Sequence, residues 1–363
     1  MNGQLTRRDV FGLGVAAILG RNALAATAPE FPKKAIIRTI LKDLPPEALA
    51  GGATLFHEHL SFAEDFMPRW IALARGGGRG PAPPPPTGQK FFMQDLDLMT
   101  EEMKAALADG VACIVDGGHE DMGRDLNFLR VLSEKSGMPI VASTGYYTQP
   151  FYPKEIATMS EDQIAEDLIR KAHTQPVGAL GEIGTWDAMT ADERKVFRAV
   201  AKTHLATNLP IFTHTAFGKG AVEQLDIFES MGVKPQHVVI GHVGGLQDPT
   251  AAVSKEICKR GAFVGFDRQG GPGDRQQVPQ VLALIEAGYA ANLMFASDFS
   301  SAAQLKHNKG GGYGKTVTVW VPKLREAGVK EDVLHGILVD NPRRFLAFVP
   351  KKGRPKMNTN GRE

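Results

Sequence analysis

Thr54-Leu55-Phe56-His57-Glu58-His59 joins an apolar run to two histidines spaced two apart. In an extended strand side chains alternate between faces, so His57 and His59 point the same way, as two ligands of one ion must. The run therefore reads as a buried strand that carries a metal seat at its carboxyl end. In a chain with ten histidines such a pair does not decide the matter alone.

The pattern recurs along the chain. Short, nearly continuous apolar runs at 53–57, 112–116, 140–144, 179–183, 211–214, 238–242, 263–266 and 293–297 predict eight strands. Amphipathic stretches alternate with them, with Met99, Met103 and Leu107, or Ile164 and Leu168, at helical spacing. Ser160-Glu161-Asp162-Gln163 and Thr190-Ala191-Asp192-Glu193 fit the capping box, and Asp248-Pro249 fits an N-cap followed by proline. Eight strand–helix units in alternation predict an α/β protein, a (β/α)₈ TIM barrel. An open doubly wound sheet is the alternative, but no Gly-x-Gly-x-x-Gly follows the first strand.

A barrel concentrates its chemistry at the carboxyl ends of its strands. Those ends hold His57 and His59, then Glu182, His214, His242 and Asp298. Six nitrogen and oxygen donors at one mouth are about what two neighbouring divalent ions require. Taken singly each has a plainer role: a hydrogen-bonded core histidine for His214 or His242, a surface carboxylate for Glu182, a helix cap for Asp298. Together they are a metal-ligand set, expected to bind zinc, with Mn, Co or Fe as alternatives for such donors. His119 competes as a further ligand, with a loop or supporting role preferred. His173, His204, His237, His307 and His335 fall on helices or loops and are expected mostly to face solvent.

The 363 residues are 43% hydrophobic and 23% charged, enough for a substantial core. The net charge of +2 belongs to the ends: Lys351, Lys352, Arg354, Lys356 and Arg362 against Glu363 make one basic end, and Arg7, Arg8 and Arg21 against Asp9 the other. The body is left acidic, which argues against a nucleic-acid or anionic-membrane partner. Thr6-Arg7-Arg8-Asp9-Val10-Phe11 is a twin-arginine pattern, with an apolar stretch and Ala23-Leu24-Ala25-Ala26 behind it. Residues 1–25 are thus expected to be a signal peptide for export of the folded protein to the periplasm, leaving no membrane anchor. Residues 26–350 form the catalytic barrel, interrupted by a Gly/Pro-rich insertion at 76–88, and 351–363 a basic, disordered tail. Cys113 and Cys258, in a strand and a helix, are expected to be two separate core residues rather than a disulfide.

The segments Gly52–Leu60, Gly181-Glu182-Ile183-Gly184, Thr213-His214-Thr215, Ile240-Gly241-His242, Ser297-Asp298 and Asn341-Pro342-Arg343-Arg344-Phe345 together resemble the phosphotriesterase-like family, binuclear metal-dependent hydrolases of the amidohydrolase superfamily. The correspondence runs in order from about Thr54 to Phe348. It implies that His57 and His59 hold the more buried ion with Asp298, that His214 and His242 hold the more exposed one, and that a strand-four residue bridges them. Glu182 stands at that position, as in the branch of the family that uses glutamate instead of a carboxylated lysine. The resemblance also implies a homodimer.

Two divalent ions lower the pKa of a shared water towards neutrality, so the expected reaction is attack by hydroxide on a small-molecule carboxylic ester or lactone, with Asp298 as the catalytic proton carrier. Phe266-Asp267-Arg268 and Thr144-Gly145-Tyr146-Tyr147 resemble the lactonases of the family, which implies that Arg268 and Tyr147 meet the substrate. Arg268 could instead pair with a neighbouring carboxylate. The acidic residue that dedicated phosphotriesterases carry after the sixth-strand histidine is replaced by Val243-Gly244-Gly245, so phosphotriester hydrolysis is expected only as a side activity. An amidase acting on N-acyl amino acid-like substrates is the second reading, and a non-catalytic metal-binding protein the third.

Overall fold

The computed structural model describes residues 29–74, 76, 90–271 and 273–351. The expected twin-arginine segment, residues 77–88 of the insertion and the tail beyond Lys351 lie outside them. A two-stranded antiparallel hairpin, β1 (Ile37–Arg38) and β2 (Asp43–Leu44), precedes the barrel. It is too short to show an alternation, and sequence reading does not find it. Eight parallel strands follow in strictly sequential order: β3 (Ala53–Glu58), β4 (Val111–Asp116), β5 (Ile140–Thr144), β6 (Val177–Gly184), β7 (Ile211–His214), β8 (Val238–Ile240), β9 (Phe263–Phe266) and β10 (Leu293–Phe295).

The sheet curls into a TIM barrel, and the Glu58 carboxylate fastens its seam. It accepts from the Ser297 amide and hydroxyl, both at 2.7 Å, and from the Phe299 amide at 2.9 Å, while the Asp298 amide donates to the His57 carbonyl at 3.2 Å. Glu58 thus ties the chain leaving β10 to the end of β3, and leaves His57 and His59 beside Asp298. Burial pushes the Glu58 carboxyl up to about 7, against the pull of the Ser297 hydrogen bond.

Strand residues sort by parity into two cores, as a period of two requires. Phe56, Val115, Val141, Phe212, Val239 and Met294 fill the barrel interior, closed below by Phe345 and Leu346. Their sequence neighbours Leu55, Ile114, Ile140, Ile211, Ile240 and Leu293 face outward onto the helices. Cys113 belongs to the inner core and Cys258 to the outer one, and both are free, as expected.

The covering helices are α1 (Phe66–Ala74), α2 (Leu96–Ala108), α3 (Leu126–Ser136), α4 (Glu161–Thr174), α5 (Ala191–Thr207), α6 (Ala221–Ser230), α7 (Ala252–Lys259) and α8 (Asp274–Glu286), with the short α9 (Val321–Glu326), α10 (Glu331–His335) and α11 (Asn341–Leu346) near the end. Both expected capping boxes form, at Ser160 with Gln163 and at Thr190 with Glu193. The third start signal is displaced. Asp248 is not the N-cap of α7, which begins at Ala252 after Ala251; its carboxylate instead holds a turn through the amides of Thr250 and Ala252. No helix among the described residues is long and apolar enough to cross a membrane.

Two strand ends also depart from expectation. The runs read at 238–242 and 293–297 leave the ladder at Ile240 and Phe295. The residues that follow turn out of the sheet, and His242 and Asp298 take left-handed backbone conformations, with φ of 60° and 48°. Non-glycine residues adopt that region at a cost, and do so where surrounding structure holds them for function. Here it swings two side chains from the strand direction into the barrel mouth.

Candidate metal centre

Glu182 lies at the middle of the mouth, between two pairs of histidines. Its Oε2 faces His57 Nε2 at 3.4 Å and His59 Nε2 at 3.7 Å; its Oε1 faces His214 Nδ1 at 2.5 Å and His242 Nε2 at 3.1 Å. One carboxylate with each oxygen turned to a different histidine pair is the disposition a bridging ligand needs. Asp298 completes the first pair, its Oδ1 at 3.3 Å from His59 Nε2 and 3.9 Å from His57 Nε2. The structure therefore gathers all six sequence-predicted ligand residues into two groups that could each hold an ion, His57 with His59 and Asp298, and His214 with His242 and Glu182.

The donors fit that use on their own chemistry. Asp267, which sequence reading assigned no task, spans two of the histidines from beneath. Its Oδ2 meets His57 Nδ1 at 3.0 Å and its Oδ1 meets His242 Nδ1 at 2.7 Å and the His242 amide at 3.1 Å. A carboxylate at Nδ1 accepts the ring N–H there, which holds the proton on Nδ1 and leaves the Nε2 lone pair outward, the arrangement of a histidine ligand with its supporting carboxylate. His57 Nε2 is buried with no hydrogen-bond partner. An orphaned ring nitrogen aimed into a cluster of carboxylates is explained by a cation between them.

Charge agrees with this. Burial would raise the carboxyls of Asp267, Glu182 and Asp298, but the surrounding histidines and Arg268 outweigh it; Asp267 is held down to about 2, and the other two well below the usual carboxylate range. Burial lowers His214 to about 4, so its ring is neutral, as a ligand must be. Burial also opposes a charge on His57, yet Glu182 and Asp267 lift it well above the ordinary value. Proton and metal ion compete for the same negative surroundings, so acid weakens metal binding at this seat.

Above the ligands opens a cavity of about 330 Å³, lined in part by Phe66, Trp70, Tyr147, Arg268, Gln304 and Lys315. That volume is at the small end for ligand pockets. Tyr147 lies 3.4 Å from the ring nitrogens of His214, and the Trp70 indole N–H donates to its hydroxyl at 2.9 Å. Burial and the nearby Glu182 and Asp298 charges push the Tyr147 phenol well up, so it remains a proton donor. Arg268 lines the same cavity with its Nε 3.0 Å from Asp298 Oδ2, so it meets both the substrate space and a carboxylate. His119 is not part of either ligand group. It is buried, bonds Asp121 at 2.8 Å, and Asp121 in turn takes the Tyr147 amide at 2.7 Å, which makes the pair a support for the tyrosine loop. His204 departs from the expectation of exposure. Its ring is buried and bonds the Leu209 carbonyl at 2.7 Å.

A nearly closed parallel barrel bearing two His/carboxylate groups around one shared glutamate defines a metal-dependent hydrolase of the binuclear kind. The chain belongs to the phosphotriesterase family, whose model matches residues 39–346. The phosphotriesterase homology protein of Escherichia coli is 31% identical over 259 residues, 69% of this chain and 88% of that protein. The N-acetyltaurine hydrolase of Mus musculus is 26% identical, spanning 86% of this chain and 98% of its own length. The crystal structure of a lactonase from Listeria monocytogenes superimposes with a TM-score of 0.73 at 25% identity, covering 87% of this chain and all of that one.

Proposed function

We propose that the protein hydrolyses a small carboxylic ester or lactone. The observation that carries this reading is the cavity floor, where Tyr147 Oη beside His214 and Arg268 beside Asp298 flank the two ligand groups. His57, His59 and Asp298 would hold one divalent ion, zinc foremost, and His214 and His242 the other, with Glu182 shared. When bound, the two ions supply Lewis acidity, which makes water acidic enough to ionise near neutral pH and polarises a substrate oxygen.

The chain's own residues do the rest. Arg268 and His59 keep Asp298 ionised and fix its rotamer, so a carboxylate oxygen is ready to take a proton from the attacking water and return it to the leaving alkoxide. Tyr147, oriented by Trp70, presents its hydroxyl hydrogen to the substrate's acyl end. Phe66 and Trp70 wall the cavity with apolar surface and limit competing water.

A second reading, amide hydrolysis with the same groups, is favoured by the extent of the likeness to N-acetyltaurine hydrolase, which spans nearly all of that relative. Leaving groups separate the two. A panel of aryl esters, γ- and δ-lactones, N-acyl amino acids and paraoxon, run on metal-loaded protein, is expected to show highest kcat/KM on an ester or lactone. Highest turnover on the N-acyl amino acids would move the assignment to amidase, and no turnover on any member would sink both. In either case Asp298→Asn is expected to retain the fold and cut kcat more than about a hundredfold; near-normal turnover with metal bound would remove Asp298 from proton transfer. The twin-arginine pattern at Thr6–Phe11 supports export to the periplasm, which fractionation of cells expressing the full chain checks.

A further inference from the structure

Lys315 has no task in the chemistry above, yet it is 6% exposed and lines the catalytic cavity. Its placement is built. The stem passes Gly270, where a Cβ would come within 3.2 Å of Lys315 Cδ, and Gly311, where a Cβ would fall 2.7 Å from Lys315 Cβ. Its ammonium lies 5.9 Å from the centre of the Phe299 ring. Two glycines and an aromatic face thus make a sleeve that delivers a charged nitrogen to the cavity wall.

That nitrogen makes no hydrogen bond or ion pair among the described residues, although three carboxylates are near enough to bear on its charge. Each carboxylate is already engaged. Glu58 takes two bonds from Ser297 and one from Phe299; Asp298 is held by Arg268 and His59; Asp274 is held by Lys323 at 2.5 Å and by the Gly270 amide at 3.0 Å. Burial lowers the Lys315 pKa and those carboxylates only partly offset it. The stem is buried but the ammonium meets the cavity, so its three donors, unused by the protein, are open to an incoming acceptor. Gln304 offers a second donor on the same wall: its Oε1 accepts from the amides of Ser300 and Ser301, both at 3.1 Å, which turns the amide NH₂ away from them.

We infer that Lys315 is a substrate-anchoring residue, which seats an anionic group of the substrate, a carboxylate, sulfonate or phosphate, at the wall of the catalytic cavity. The substrate class is then a small ester, lactone or amide that carries a negative charge a few bonds from its acyl carbon. The inference deepens the hydrolase reading, and its activity arm rests on it.

The binding arm does not. Propane-1-sulfonate, a weak metal ligand, and its neutral counterpart methyl propyl sulfone are titrated calorimetrically into the metal-loaded wild type, Lys315→Met and Lys315→Glu. The sulfonate is expected to bind the wild type at least ten times more tightly than the sulfone, with that preference lost in Lys315→Met and reversed in Lys315→Glu. One charge-assisted hydrogen bond accounts for a loss of about 10- to 100-fold. The activity arm compares kcat/KM for an aryl ester bearing a terminal carboxylate with its methyl-capped analogue, the ratio falling by the same factor in Lys315→Met, chiefly through KM. A merely structural lysine, serving as countercharge to Glu58, would lower the melting temperature and both substrates' rates together and leave the sulfonate-to-sulfone preference unmoved. That outcome overturns the inference. If no substrate is turned over but the sulfonate preference depends on Lys315, the anion seat stands and the hydrolase reading fails.

Discussion

Glu182 shows how much one side chain can decide. Its two oxygens face different histidine pairs, so the distinction between a structural carboxylate and a bridging ligand is made within 3.7 Å of one residue. Asp267 is its counterpart beneath the site and sets the tautomer of His57 and His242 at once. Asp267→Asn keeps the size but can no longer accept from both rings as a charge. The expected result is a 10- to 100-fold loss of metal affinity, read by competition with a chromogenic chelator, in a protein that still folds. The histidines, Glu182 and Asp298 were legible in the sequence because each follows an apolar run at a strand end. Asp267 follows such a run too, but a carboxylate that orients ligands carries no spacing that separates it from one that binds. Lys315 was not legible at all: it lies after the last strand, at the start of a helical turn that runs on through Thr316–Trp320, and its reach into the cavity depends on the glycines its stem passes.

At the scale of elements, the helices hold the barrel through ordinary capping and packing, and His204 near the end of α5 is one of the joints. Burial drives its pKa down to about 4, partly offset by the bond to the Leu209 carbonyl. In the unfolded chain the ring titrates near 6.5, so the unfolded state takes up the proton first. The stability that neutral His204 contributes is fully present above about pH 6.5 and is lost as the pH falls towards 4, by up to about 3 kcal/mol. Denaturant midpoints measured across that window are expected to decline more steeply in the wild type than in His204→Asn. Equal slopes would show that other groups control the acid transition. The expectation that His204 faces solvent failed for a simple reason: α5 is long and packs between its neighbours, so a polar residue in its last turn is covered by the loop that follows.

For the whole molecule, the mouth gathers groups from six strand ends, and the negative charge at Glu182, Asp267 and Asp298 is met among the described residues by the fixed cation Arg268 and, without a direct ion pair, by Lys315. Ions that bind only the folded protein stabilise it by about 4 kcal/mol at a thousand times their Kd. Stripping the protein with a chelator is therefore expected to lower Tm by on the order of 10 °C, recovered on adding Zn²⁺, as followed by calorimetry. An unchanged Tm would mean that the six ligand residues are stable as a hydrogen-bonded polar core without a cation.

The alternation of apolar strand and amphipathic helix was enough to determine the barrel, because burial on both faces of a parallel sheet leaves a local signature in every strand. It also determined which residues stand at the mouth, since strand ends can be counted along the chain. Tertiary structure alone decided the support Asp267 gives to His57 and His242, the left-handed turns that aim His242 and Asp298, the Glu58 seam and the delivery of Lys315. Each of these depends on the distance between groups far apart in sequence, as between Glu58 and Ser297 or between His57 and Asp267, and such distances are set only when the sheet closes.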